Sequence, residues 1–85
     1  MGRRKQTYET TEYSAMLGRM ITAYGRRVGD ADPEDLAEML ALQRKFDEVV
    51  KESVRIQREK HGRSWADIGA AAGTTRQAAQ MKWGK

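Results

Sequence analysis

The stretch Arg63-Ser64-Trp65-Ala66-Asp67-Ile68-Gly69-Ala70-Ala71-Ala72-Gly73-Thr74-Thr75-Arg76-Gln77-Ala78-Ala79-Gln80-Met81-Lys82-Trp83 holds two helix starts separated by one stop. Ser64 followed three residues later by Asp67 approximates a capping box, and Trp65, Ile68 and Ala72 then fall on one face of a short helix. Gly73 ends that helix, because a residue without a Cβ takes the positive φ of a sharp turn without strain. A second short helix starts at Thr74 or Thr75. Either hydroxyl is a suitable cap, and Thr74 with Gln77 repeats the capping-box spacing. On this helix Ala79 and Trp83 lie one turn apart and are expected to point inward. Gly69 and Ala72 are small where two helices must cross closely. Residues 62–85 are thus expected to be two short helices joined by a tight turn.

Upstream, Asp32-Pro33-Glu34-Asp35 is a start signal. Asp32 caps free amides, Pro33 loses nothing at the first helical position, and Glu34 and Asp35 complement the positive end of the dipole. No Gly or Pro interrupts the chain from there to about Lys60. Leu36, Met39, Leu40, Gln43, Phe46, Val50, Ser53 or Val54, and Gln57 make one stripe of a helix roughly 40 Å long. His61-Gly62 ends it. Like-charge neighbours on its solvated face, Glu48 with Glu52 and Lys51 with Arg55, are offset by Glu48 with Lys51 and Glu52 with Arg55 three residues apart. Before it, Tyr13, Met16, Leu17, Met20, Ile21 and Tyr24 recur at steps of three and four, which predicts a helix from about Glu12 to Arg27 that stops at Val28-Gly29-Asp30. Gly18 and Gly25 weaken it. The predicted fold is all-α: residues 12–61 form a helical hairpin with a long second helix, and the paired short helices follow at the C-terminus. Residues 1–11, with Arg3, Arg4 and Lys5, are expected to be a flexible basic arm.

Composition limits what such a chain does. It has 85 residues, no Cys and one Pro, which is one small domain with neither a disulfide framework nor a thiolate metal site. Leu, Ile, Val and Phe number 12 of 85, too few for a self-sufficient core, although eleven Ala and five Met at helical spacing still specify order. A thin core in a chain this short argues for a homodimer. Helix one and the first half of helix two are the expected pairing elements. The net charge of +4 is unevenly spread: residues 1–29 and 62–85 are basic, and 30–61 carry nine carboxylates against six cations. Basic ends suggest a polyanionic partner. After Met1-Gly2-Arg3-Arg4-Lys5-Gln6 no uninterrupted apolar run follows, so neither export nor membrane insertion is expected, and the cytoplasm is the default.

The pattern S-W-x-x-I-G-x-x-x-G-x-[ST]-R-Q-A-A, as it stands from Ser64 to Ala79, resembles the helix-turn-helix of small bacterial and bacteriophage DNA-binding regulators, the actinobacterial ones in particular. It covers about twenty residues. One position departs: the residue after the turn glycine, usually apolar in that pattern, is Thr74. The resemblance implies that the end of helix two completes a three-helix DNA-binding unit, and that the chain is a sequence-specific, repressor-like transcriptional regulator of phage, plasmid or chromosomal type. It would bind double-stranded DNA as a homodimer in the nucleoid, with its last helix in the major groove.

Under that resemblance Arg76, Gln77 and Gln80 project away from Ala79 and Trp83 and are the candidate base contacts: Arg suits the acceptors of guanine, Gln the donor and acceptor of adenine. Thr75, Lys82 and Lys85 suit phosphate, as does Ser64 at a helix N-terminus. Arg3, Arg4 and Lys5 are candidates for a minor-groove arm. Trp65 and Trp83 read as core. His61 reads as a helix-end residue, and no nucleophile, acid–base pair or metal cluster stands at a credible spacing, so no catalytic residue, metal, cofactor or small-molecule ligand is expected. Gly69-Ala70-Ala71-Ala72-Gly73 lacks the Lys-Ser or Lys-Thr of a phosphate loop. Two other classes fit the same residues less well: a nucleoid-type protein that packs DNA without regard to sequence, and an antitoxin-like or anti-repressor-like helical module whose basic end grips an acidic protein.

Overall fold

Four helices follow one another in the computed structural model, which describes the backbone of residues 2–84 and the side chains of residues 9–84: α1 (Gly2–Gly29), α2 (Pro33–Glu59), α3 (Trp65–Ala72) and α4 (Arg76–Trp83). No strand occurs among the described residues, and no helix among them is long and apolar enough to cross a membrane. The chain divides within α2 into two compact units, Met1–Leu40 and Ala41–Lys85.

In the first unit, α1 begins ten residues ahead of the Glu12 start that the apolar stripe suggested. The stretch expected to be a flexible arm, residues 1–11, is therefore helical in its described backbone. A nucleated helix adds residues cheaply, and Arg3, Arg4, Lys5, Gln6 and Glu9 are good propagators with no Pro among them. Asp30 and Ala31 donate back to the carbonyls of Arg27 and Val28 at 3.2 and 3.0 Å, which closes the last turn. Pro33 opens α2 as expected. The side chain of Asp35 accepts from the backbone of Asp32 at 3.3 Å, so the reciprocal half of a capping box is present. Gly25, Val28, Ala31, Pro33, Leu36 and Met39 line the crook of this turn.

Within the first unit, α1 and the start of α2 enclose little of the apolar stripes expected to form a packed core. Val28 is the one buried residue described in the first unit; Tyr13, Met16, Leu17, Met20, Ile21, Leu36 and Leu40 are exposed. Two amphipathic faces supply too little apolar area to enclose each other in a chain this short.

The second unit is organised differently. α3 and α4 pack against each other around Ile68, Gly69 and Ala79, all buried. Along α2, Val50, Val54 and Arg58 are half-buried, and Val54, Arg55, Arg58, Glu59, Trp65 and Trp83 line a shared concavity. Three residues beyond α2, Gly62 is left-handed (φ +65°). The Arg63 amide donates back to the Gln57 carbonyl at 3.1 Å, and the Arg58 guanidinium donates to the Arg63 carbonyl at 2.9 Å. On the solvated side Arg55 pairs with both Glu52 and Glu59. Hydrogen bonding to Arg55 lowers the Glu52 carboxyl below its ordinary value and raises the Arg55 guanidinium above its own. In exposed positions such pairs contribute little to stability.

Candidate nucleic-acid interface

The site is built on the short pair, and neither eight-residue helix has the length to persist alone. Caps and one close crossing hold them. At the start of α3 the Ser64 hydroxyl accepts from the Asp67 amide at 3.0 Å and the Asp67 carboxylate accepts from the Ser64 amide at 2.9 Å, which completes the capping box. The backbone hydrogen bond from Ser64, and then its side chain, hold the Asp67 carboxyl below the ordinary carboxylate value. At the other end Gly73 is left-handed (φ +70°). Its amide donates to the Ala70 carbonyl at 3.2 Å and that of Thr74 to the Gly69 carbonyl at 2.8 Å, the two bonds of a Schellman ending. Thr74, the departure from the regulator pattern, is exposed and contributes its amide. The cap of α4 is Thr75, whose hydroxyl accepts from the Ala78 amide at 3.0 Å; the choice between Thr74 and Thr75 left by the sequence thus falls to Thr75.

Gly69 sets the distance between the helices. A Cβ there would lie 2.9 Å from both the carbonyl carbon and the oxygen of Thr75, and 3.1 Å from the Arg76 nitrogen. Any side chain would push the start of α4 away from α3. Ala79, on α4 itself, has no exposed surface.

With α4 so placed, Arg76, Gln77 and Gln80 are all exposed. Gln77 and Gln80 border one shallow concavity together with Met81 and Gly84. Met81 is 78% exposed, and the sequence reading passed over it; its signal was the four-residue step from Gln77, which puts the two on one face. Thr75 keeps its hydroxyl proton for an outside acceptor, since capping uses only a lone pair. Ser64 is less free, because its hydroxyl faces the Asp67 carboxylate. The two N-termini therefore differ: α3 carries Asp67 in its first turn, and α4 carries no acidic residue there. An anion is favoured at α4 and opposed at α3.

Trp65 and Trp83, expected in the core, are only half-buried. Two short helices and the end of α2 are too small to enclose an indole. The Arg58 guanidinium covers one face of Trp65 at 4.3 Å from the ring centroid, and the Lys82 ammonium lies 5.1 Å from that of Trp83, both within cation–π range. Lys85 and the side chains of Arg3, Arg4 and Lys5 lie outside the described residues. No group of three His, Cys, Asp or Glu among the described residues is placed to hold a metal ion.

No protein-family model matches the chain, and neither a curated protein nor a solved structure matches it.

Proposed function

We propose that this chain is a sequence-specific, repressor-like DNA-binding regulator that acts as a homodimer in the nucleoid, with α3 and α4 as its helix-turn-helix and α4 as the helix that enters the major groove. The observation that carries the reading is the exposure of Arg76, Gln77 and Gln80 on the first two turns of a helix whose Ala79 has no exposed surface. A side chain free on a rigidly seated helix reads base edges; one on a mobile segment does not.

In this reading Arg76 addresses guanine, Gln77 and Gln80 address adenine, and Met81 meets a thymine methyl group. The acid-free start of α4, with Thr75, receives a phosphate, and Lys82 and Lys85 follow the backbone. Asp67 weakens the case for Ser64 as a phosphate contact. Two copies on a two-fold axis would read inverted half-sites about 10 bp apart or a multiple of that.

Selection of bound fragments from random DNA, followed by alanine scanning on the selected site, tests this. An inverted repeat should emerge. Arg76→Ala and Gln77→Ala should each lose about 1–3 kcal/mol, confined to particular base pairs, whereas Lys82→Ala should weaken every sequence alike and flatten the salt dependence. Equal loss on all sequences would favour DNA packing. Absence of DNA binding at low salt would reject the nucleic-acid reading.

A further inference from the structure

One face of α2 in the second unit has no counterpart among the described residues of that unit. Leu42, Phe46, Val49 and Ile56 are 55%, 59%, 47% and 39% exposed, and they recur at steps of four, three and seven, with the small Ser53 filling the one position of a three–four alternation that is not apolar. This is a coiled-coil seam. It is separate from the half-buried row Val50, Val54 and Arg58, the last two of which line the concavity shared with Trp65 and Trp83. Four large apolar side chains along about 21 Å of one helix form a patch of the kind that marks an interface.

We propose that this seam pairs with the same seam of a second copy of the chain, the two α2 helices running antiparallel.

Charge and volume choose the direction. With the helices antiparallel and Phe46 against the partner's Val49, Leu42 falls opposite the partner's Ser53, large against small, and each layer occurs twice by symmetry. Lys45, at the edge of the seam, then meets the partner's Glu52. Arg55 already holds Glu52 within its own chain, but a carboxylate accepts from several donors at once. In a parallel pair Lys45 would flank the partner's Val50 and Glu52 the partner's Gln57, with no ion pair formed. The inference rests on the two-copy part of the proposed function and is independent of DNA.

The absence of cysteine makes the test clean. Light scattering on the full chain without DNA should give twice the chain mass, and Phe46→Glu should raise the dissociation constant at least 100-fold with helicity retained. In the otherwise unchanged chain, Val49→Cys should form an interchain disulfide, because the two copies of position 49 stand about 4–5 Å apart along the axis. Leu42→Cys should not, because its two copies stand about 16 Å apart. A mixture of Leu42→Cys and Ser53→Cys chains should cross-link. A monomer at 100 µM would overturn the seam and the dimer together and leave DNA binding to be judged by the fragment selection. A Phe46→Glu protein that remained dimeric, or a Leu42→Cys disulfide as efficient as that of Val49→Cys, would overturn the antiparallel seam alone.

Discussion

α1 runs 28 residues with its apolar stripe in solvent, whereas α3 and α4 run eight residues each and are tied by caps at both ends of the turn that joins them. Length and tertiary support are exchanged between the two regions. A long helix spreads its nucleation penalty over many backbone bonds; an eight-residue helix does not, and needs a capping box, a left-handed glycine and a close crossing to exist at all. The long region is therefore tolerant at each position and incomplete as a surface, while the short pair is intolerant and complete. The glycines show the same contrast: nothing lies within 4 Å of a Cβ built on Gly18, whereas Gly69 sits directly beneath the Thr75 backbone.

Substitutions can break this contrast. Gly69→Ala should have the largest effect, a loss of about 3 kcal/mol seen as a fall in the urea midpoint, because backbone cannot rotate out of the way as a side chain can. DNA binding should fall with it, since α4 would be displaced. An unchanged midpoint would mean that the crossing is looser than 2.9 Å implies. Next, Ser64→Ala should lose about 1 kcal/mol through the broken capping box and should also change the acid limb of the stability profile. The Asp67 carboxyl titrates below its ordinary value when folded and at about 3.9 when unfolded. Its contribution is thus complete above the unfolded value and is lost as pH falls through the folded one. Ser64→Ala should flatten that decline, which urea denaturation at a series of acid pH values would measure. Gly18→Ala should act least and in the opposite direction, raising the thermal midpoint by about 0.5–1 kcal/mol of added stability. A loss there would mean that a neighbour approaches α1 closely.

The short pair was legible in the sequence because its determinants are local. Ser64 with Asp67, Gly73 and a threonine before Arg76 are chemistry acting over three or four residues, and all but the choice between Thr74 and Thr75 could be read from spacing. Pro33 and Gly62 were legible for the same reason. What was not legible depends on distance. A single stripe on α2 joined Phe46 to Val50 and Val54, but the last two are half-buried while Phe46 is exposed with Leu42, Val49 and Ile56; periodicity counts apolar residues without saying what each one faces. The early start of α1 was hidden because polar propagators leave no apolar rhythm. In the site, the exposure of Arg76, Gln77 and Gln80 followed from the position of the cap, whereas the exposure of Met81 ran against its hydropathy.

The aromatic side chains are sorted between the two units. Tyr13 and Tyr24 lie on α1, as does Tyr8 in the chain order, and both indoles, Trp65 and Trp83, lie at α3 and α4. Excitation at the red edge of the absorption band therefore illuminates the second unit alone, and difference absorbance of the phenols reports the first. The native chain thus carries two optical channels, enough to learn without any label whether its halves melt together or in turn.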